Sequence, residues 1–238
     1  MKKIIIIGAG AMGSAFAVPC IDNKNDVTIV GTHLENDLID KIKVDNQNHP
    51  VLKTKLSKEI KFEKFEKLQT ILEKDLDIIV CGVSSIGIEW FARQISNYYK
   101  KRIPIVLLTK GLSVHNNELT TLSDKIKDLL SKDGHSEINI SAIKGPCLAA
   151  GLANKMRTGT VIANQNIKES QSLKEIISTN YYSTEISEDI NGVELSGAIK
   201  NIYSMLIGAS EGLSNSKAPK EIQSKFFLNT AASLIHRS

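Results

Sequence analysis

Lys200 is the residue of this 238-residue chain best placed for acid–base chemistry. It lies in residues 192–213, GVELSGAIKNIYSMLIGASEGL, where apolar residues recur at helical spacing along one face. A neighbouring face carries Lys200 beside Gly197 and Gly208, although a glycine inside a helix costs about 1 kcal/mol relative to alanine. Such glycines usually allow close approach by another backbone or a ligand. A lysine on this face would be partly desolvated, which favours the neutral amine that proton transfer requires. The alternative is a solvated lysine on an amphipathic helix.

A second chemical motif is the glycine-rich sequence GAGAMG, residues 8–13. It follows a β-branched run, residues 3–7, that is typical of a strand buried on both faces. In a GxGxxG turn of this kind, Gly8 permits the tight turn, Gly10 lets the backbone approach a pyrophosphate, and Gly13 allows close helix–strand packing. The phosphates would then face the free amides of the helix N-terminus. The alternative is a glycine-rich turn without a ligand.

The elements that must position these groups alternate between strand and helix. Strands are predicted at residues 3–7, 26–30, 77–83, 103–109, 138–143, 160–163 and 181–186, and helices at residues 37–45, 86–99, 117–131, 148–156 and 168–179. The first helix, which the glycine motif opens, should be ended or kinked early by Pro19. The alternation predicts an α/β fold of Rossmann type, a doubly wound, mostly parallel sheet with helices on both faces.

The domain organisation follows from the same pattern. We expect residues 1–188 to form a dinucleotide-binding domain, and residues 189–238 to begin an all-helical domain that is incomplete here. Ligands of such sheets lie beyond the carboxyl ends of the strands. Residues 8–13, 84–85, 110–111 and 145–147 all fall at predicted strand ends, so we expect them to converge on one crevice.

Composition limits the function classes. A formal net charge of +4, with lysine and glutamate interspersed, gives no basic stripe for nucleic acid. The 3 cysteines are widely spaced and form no CxxC pair, which favours a reduced, cytoplasmic protein without a metal site. No apolar run approaches the roughly 20 residues of a membrane helix. Residues 2–17 partly resemble a secretory signal, but the glycines of the GAGAMG motif interrupt the apolar stretch.

Several motifs give the chain a specific resemblance. GAGAMG, VGTH followed by HPVL, LLTKGL, KGPCLA and GVELSGAIKN occur in the order in which similar motifs occur in NAD(P)-dependent glycerol-3-phosphate dehydrogenases. The resemblance covers essentially the whole chain, and GVELSGAIKN is its most diagnostic part because no general fold requirement explains it. It implies an oxidoreductase that interconverts sn-glycerol 3-phosphate and dihydroxyacetone phosphate, with NAD or NADP carrying the hydride. It further implies a supply of glycerol 3-phosphate for glycerophospholipid synthesis.

The resemblance also assigns roles to individual residues. Lys200 matches the family's catalytic lysine, which takes the C2 hydroxyl proton in oxidation and protonates the carbonyl oxygen in reduction. The same resemblance implies that the residues in contact with the small phosphorylated substrate are Lys110, Gly145, Cys147, Lys200 and Asn201. Coenzyme contacts fall on Gly8, Gly10, Ala11, Met12, Gly13, His33, Lys110 and Ala149. The sequence leaves the oligomeric state open, with a homodimer as one option.

The departures from the family pattern also lead to expectations. Cys147 stands where serine is commoner, and Gly151 stands where a glutamate often follows. No aspartate ends the second strand to hold a ribose 2′-hydroxyl, and no arginine follows for a 2′-phosphate. We therefore expect only modest discrimination between NAD and NADP.

The family continues into a helical substrate domain that carries an arginine segment for the substrate phosphate. We expect the 238-residue chain to stop within that domain, either as a fragment of a longer protein or as a truncated relative, and to bind coenzyme without appreciable turnover. Two alternatives stay open at this point. One is another lysine-dependent Rossmann dehydrogenase, such as a ketopantoate reductase, and the other is a nucleotide-binding remnant without turnover.

Overall fold

The computed structural model of the chain describes residues 1–99 and 103–213. Within these ranges, an eight-stranded sheet forms the middle layer and helices pack on both of its faces. The predicted fold class, a doubly wound and mostly parallel α/β sheet, is confirmed.

In this part of the chain, the strands are β1 (Lys3–Ile7), β2 (Asp26–Val30), β3 (Asn48–His49), β4 (Thr54–Lys55), β5 (Lys61–Glu63), β6 (Ile78–Cys81), β7 (Ile105–Leu107), β8 (Leu112–His115), β9 (Glu118–Thr121), β10 (Ile140–Lys144), β11 (Thr158–Ala163) and β12 (Tyr182–Ser187). The helices are α1 (Ala11–Asp22), α2 (Asn36–Val44), α3 (Leu68–Leu72), α4 (Ile88–Ser96), α5 (Leu122–Lys132), α6 (Ala149–Ala153), α7 (Ile167–Ile177) and α8 (Ile190–Leu213).

The main sheet has the strand order β12–β11–β10–β7–β6–β1–β2–β5. The strands from β10 to β5 in this order are parallel to one another, whereas β11 is antiparallel to β10 and parallel to β12. The carboxyl ends of β1, β6, β7 and β10 therefore lie on one edge of the sheet. The loops that follow these strands meet at that edge, where a ligand is expected.

The isoleucine run of β1 explains why the sheet is covered on both faces. Successive side chains of a strand point to opposite faces. Ile4 and Ile6 pack into one buried cluster with Phe16 of α1, whereas Ile5 and Ile7 pack into a second cluster with α4 and α5. A strand with apolar residues on both faces is stable only between two layers of helices, as in this sheet.

Pro19 was predicted to end or kink the first helix; an early end is wrong, since α1 continues to Asp22, and the kink stays a prediction. Proline lacks the N–H that would bond to the carbonyl four residues earlier. Its own carbonyl still accepts the N–H of Asn23 at 3.1 Å. Because Pro19 is in the last turn of α1, the one backbone hydrogen bond that it cannot donate does not prevent the helix from continuing to Asp22.

The predicted helix at residues 117–131 begins too early. Residues 112–121 instead form an antiparallel ribbon of β8 and β9, and α5 starts at Leu122. Asn116 and Asn117 both have positive φ, 51° and 63°, which the two-residue turn of a tight hairpin requires. Thr121 then caps α5 by accepting the N–H of Asp124 at 3.2 Å.

The predicted second domain, residues 189–238, is represented by one helix, α8, and residues 214–238 lie outside the described residues. This helix packs against β10 and β11 of the sheet and against the β8–β9 ribbon. The domain boundary at residue 188 stays a prediction. Among the helices in the described ranges, none combines the length and apolar character that crossing a bilayer requires.

Candidate active site

The turn between β1 and α1 is packed too tightly for side chains at two of its glycines. Gly8 has a φ of +112°, and a Cβ there would lie 2.7 Å from the carbonyl carbon of Gly82. A Cβ on Gly13 would lie 2.3 Å from the carbonyl oxygen of Gly8. These separations are too short for real Cβ atoms, so the backbones of β1, α1 and the loop after β6 can meet only because these residues are glycine.

Gly10 has a different environment. Its φ is −62°, which any residue can adopt, and the nearest described atom to a Cβ at this position would be Glu35 Oε1 at 3.7 Å. The protein's own packing therefore does not require glycine at position 10. The open space in front of Gly10 and the N-terminus of α1 fits the pyrophosphate of a dinucleotide.

Three side chains hold the backbone of Ala9 in this turn. The Ala9 N–H donates to Glu35 Oε2 at 3.0 Å. The Ala9 carbonyl accepts the Ser14 hydroxyl at 3.0 Å and also lies 3.0 Å from His49 Nε2. The glycine turn is thus fixed by contacts from α1, from the loop after β2 and from β3.

His49 was not predicted to contribute to the site. Its ring is fully buried, and the Leu52 N–H lies 3.3 Å from Nδ1. Because a backbone N–H can only donate, Nδ1 accepts, and the ring proton is on Nε2, which donates to the Ala9 carbonyl. The HPVL motif was noticed in the sequence, but nothing in its residue types indicated a contact with a turn forty positions earlier.

An open cleft of about 430 Å³ lies in front of the glycine turn. Its walls are residues 10–12, 82–85 and 108–110, which follow β1, β6 and β7. The structure therefore brings Gly10, Ala11, Met12 and Lys110 together with the Ser84–Ser85 turn, as the strand pattern predicted, whereas Gly145 and Cys147 line a separate small cavity. Gly8 and Gly13 lie behind this surface and shape it.

Lys110 lines this cleft, and the positive charge of Lys200 acts on it. Lys110 follows β7 and Lys200 is on α8, and both side chains are half-buried. Burial lowers the pKa of Lys110, and the positive charge of Lys200 lowers it further. Two elements far apart in sequence thus place their ammonium groups near enough to repel each other.

A third lysine, Lys144, lies buried behind them and was not predicted. It ends β10, and its Nζ donates to the carbonyls of Thr109 at 2.7 Å and Leu107 at 3.3 Å. Burial lowers its pKa to about 8. A Cβ on Gly197 would lie 3.2 Å from the aliphatic stem of Lys144. The stem of Lys144 therefore occupies the space beside Gly197 of α8, where a methyl group would be tight.

A buried carboxylate also faces this region. Glu194, in the second turn of α8, is fully buried, and its Oε2 accepts the N–H of Ser123 at 3.2 Å. Its Oε1 has no hydrogen-bond partner among the described residues. The negative charge of Glu194 opposes the effect of burial on Lys144 and favours its ammonium form.

The KGPC turn after β10 borders a second, small cavity, whose lining includes Met12, Lys110, Lys144 and Cys147. The Cys147 side chain is buried, and burial raises the pKa of its thiol. Its Sγ lies 3.9 Å from the Leu148 carbonyl, a weak contact. Cys147 is thus placed beside Lys110, as a neutral group of little hydrogen-bonding strength.

Other predicted site residues lie at the margins. A Cβ on Gly145 would lie 2.9 Å from the Gly159 carbonyl oxygen, so packing against β11 by itself requires this glycine. Ala149 begins α6, which packs against α1 rather than lining the cleft. His33 is exposed after β2, and its ring packs against Phe65 and Trp90 at centroid distances of 6.0 and 5.5 Å.

The side chain of Asn201, which the sequence predicted as a substrate contact, lies outside the described residues. Its backbone is part of α8, next to Lys200. Within the described ranges, no group of three or more His, Cys, Asp or Glu side chains is arranged to hold a metal ion. The residues that line the cleft and the small cavity include two lysines, Lys110 and Lys144, and the first residues of α1.

Comparison with solved structures supports the fold. A glycerol-3-phosphate dehydrogenase from Coxiella burnetii matches with a TM-score of 0.79 and 22% identity, over 98% of this chain and 68% of that one. The Plasmodium falciparum glycerol-3-phosphate dehydrogenase matches with a TM-score of 0.79 and 23% identity, over 98% of this chain and 65% of that one. At these identities the likeness establishes the shared fold.

Sequence comparison is more specific. An NADP(+)-dependent glycerol-3-phosphate dehydrogenase from Archaeoglobus fulgidus is 34% identical over 229 residues, which cover 96% of this chain and 66% of the relative. A glycerol-3-phosphate dehydrogenase [NAD(P)+] from Mesoplasma florum is 33% identical over 202 residues, covering 84% and 58%. The chain thus spans less than two thirds of the length of either relative. Residues 3–170 match the family described as the NAD-dependent glycerol-3-phosphate dehydrogenase N-terminus, and the chain belongs to that family.

Proposed function

We propose that this chain is the coenzyme-binding part of an NAD(P)-dependent glycerol-3-phosphate dehydrogenase, which interconverts sn-glycerol 3-phosphate and dihydroxyacetone phosphate. The observation that carries the proposal is the cleft in front of the glycine turn, which Lys110 lines and where the Lys110 ammonium group is repelled by the charge of Lys200. Family membership and the names of the two relatives agree with it.

The coenzyme is NAD or NADP, and the glycine turn holds its pyrophosphate. The amides at the start of α1 face the cleft, and Gly10 leaves the space that the phosphates require. Ala11, Met12 and Lys110 provide further contacts from the walls of the cleft. When bound, the nicotinamide supplies or accepts the hydride, and the protein supplies position and charge.

The lysines supply the proton chemistry. Lys200 is the general base for the C2 hydroxyl in oxidation, and its ammonium protonates the carbonyl oxygen in reduction. Lys110 adds a second positive charge that attracts a phosphorylated substrate. Asn201, Gly145 and Cys147 complete the proposed substrate contacts, and His33 and Ala149 the proposed coenzyme contacts.

The wider role follows from the reaction. Reduction of dihydroxyacetone phosphate yields glycerol 3-phosphate, the precursor that glycerophospholipid synthesis consumes. The free thiols of Cys20, Cys81 and Cys147 support a location in the reducing cytoplasm. The homodimer stays a prediction.

The proposal predicts that Lys200→Ala in the full-length protein lowers kcat by about a hundred- to ten-thousandfold, the usual effect of removing a positioned acid–base group. NADH and NADPH affinity, measured by calorimetry, should stay nearly unchanged because the glycine turn is a separate element. Lys200→Arg should not restore activity, since a guanidinium cannot act as a base. Lys168→Ala, an exposed lysine on α7, is the matched control and should keep the wild-type rate.

Coenzyme binding is tested separately with Gly10→Val. The turn can accept a side chain at this position, so the variant should fold while its methyl groups occupy the phosphate space. Calorimetry should then detect neither NADH nor NADPH. Unchanged coenzyme affinity in folded Gly10→Val would refute the binding mode, and an active Lys200→Ala enzyme would refute the assignment of the base.

A further inference from the structure

Glu35 occupies an unexpected place beside the glycine turn. It follows β2 by five residues, and the chain turns back between them, with the Glu35 N–H bonded to the Thr32 carbonyl at 2.9 Å. The side chain then points to the turn, where Oε2 accepts the N–H groups of Thr32 at 2.8 Å and Ala9 at 3.0 Å. Two backbone donors thus fix this carboxylate at the end of the second strand.

The second carboxylate oxygen is left available on the ligand side. Oε1 is the described atom nearest to the position that a Cβ on Gly10 would take, at 3.7 Å. Oε1 forms no hydrogen bond within the described ranges, and Glu35 forms no ion pair there. A half-buried negative charge therefore lies next to the space in which we place the coenzyme.

The sequence pattern did not indicate this group, because the acidic residue of such folds is expected directly at the end of the second strand. Gly31 stands there, and its missing side chain leaves room for the Glu35 side chain, whose Cβ would lie 3.3 Å from a Cβ at position 31. The acidic group thus arrives from the first residue before α2 instead of from the strand itself.

We propose that Glu35 makes this protein selective for NAD(H) over NADP(H). The inference rests on the proposed function, because it assumes that a dinucleotide binds along the glycine turn. A carboxylate in this place accepts hydrogen bonds from the hydroxyls of the adenosine ribose. The 2′-phosphate of NADP(H) would place a second negative charge against the fixed carboxylate of Glu35. Among the described contacts of Glu35, no cation compensates this repulsion. The protein then differs from its Archaeoglobus relative, whose name states NADP(+) dependence.

The test is calorimetric titration of the full-length protein with NADH and with NADPH, without substrate or turnover. We expect NADH to bind at least about thirtyfold more tightly, because juxtaposed like charges are strongly unfavourable in an interface. Glu35→Gln keeps the size and one acceptor oxygen for the two backbone N–H groups, but it removes the charge and places an amide nitrogen on the ligand side, so it should reduce the preference to less than about threefold, mainly by improving NADPH affinity.

Glu63→Gln is the matched control. Glu63 ends the neighbouring strand β5, and its carboxylate lies 3.5 Å from Lys43 rather than at the glycine turn. This variant should keep the wild-type preference, and thermal unfolding confirms that each variant is folded. NADPH binding as tightly as NADH in the wild type would overturn the inference, as would an unchanged preference in Glu35→Gln. Folded wild-type protein that binds neither coenzyme would instead overturn the proposed function itself.

Discussion

Lys144 should make the stability of this protein rise with pH in the alkaline range. Burial lowers the pKa of its ammonium group from the ordinary 10.5 to about 8. In the unfolded chain the side chain meets water and keeps its ordinary pKa. Between about pH 8 and 10.5, the unfolded chain therefore holds a proton on Lys144 that the native protein lacks. The free energy of unfolding consequently increases as the pH rises through this window.

The magnitude follows from the size of the shift. At about 1.4 kcal/mol per pKa unit, the difference between 10.5 and about 8 corresponds to about 3 kcal/mol. Below this window both states hold the proton, and above it both have lost it, so the dependence disappears. Buried thiols act in the opposite direction, because burial raises the pKa of Cys20 and Cys81 and so favours their protonated forms in the native state. The contribution of Lys144 must therefore be isolated by a matched variant.

The matched variant is Lys144→Met/Glu194→Gln, which removes both buried charges with side chains of similar size. Lys144→Met alone would leave the Glu194 carboxylate buried without the favourable charge of Lys144, so its effect on stability would combine two changes. Urea unfolding at several values between pH 7 and pH 10.5 gives the stability of both proteins. Relative to the double variant, the wild type should gain about 3 kcal/mol across the window. A difference that stays constant with pH would show that Lys144 does not titrate there.

Two further predictions concern packing around the site. Gly197→Ala places a methyl group 3.2 Å from the stem of Lys144, and this tight contact should cancel most of the roughly 1 kcal/mol that alanine gains over glycine inside a helix. Gly208→Ala in the same helix meets no described atom within 4 Å and should raise stability by up to about 1 kcal/mol; urea unfolding that ranks the two variants otherwise would refute this account of Gly197. His49→Phe removes a donor to the buried Ala9 carbonyl and should cost about 1–3 kcal/mol, with weaker NADH binding by calorimetry. Wild-type stability and affinity in that variant would show that the Ser14 bond is enough to hold the turn.

The part of the fold that the sequence predicted well is the part set by local pattern. The observed bounds of β1 and β2 agree with the predicted ones, because β-branched runs between turn residues leave little choice of element. The glycine turn was also predicted from local pattern. At Gly8 and Gly13 the neighbouring backbone leaves no room for a Cβ atom, so these positions require glycine. The position of the cleft could be predicted as well, because ligands of such sheets bind beyond the carboxyl ends of the central strands.

The features that the sequence did not indicate depend on distant contacts or on weak local signals. The edge strand β5 has only three residues, KFE, and it forms because β2 offers it hydrogen bonds. The β8–β9 ribbon depends on two asparagines in a conformation that few residues adopt. His49 and Glu35 were missed because each bonds to Ala9 from a separate segment, and only the folded chain brings them to the same residue.

Gly197 shows how a correct observation in the sequence can have a different physical cause. A glycine inside a helix next to Lys200 suggested room for a ligand, yet the side chain of Lys144 fills that room. The Nζ of Lys144 bonds to the carbonyl of Thr109, the residue that precedes Lys110. Its stem therefore contacts α8 one turn before Lys200, while its head fixes the end of β7 that carries Lys110. The relative placement of Lys110 and Lys200 thus depends on Lys144. A substitution at Lys144 that preserves the fold should still change the distance between these two ammonium groups, and with it the effect of Lys200 on the pKa of Lys110.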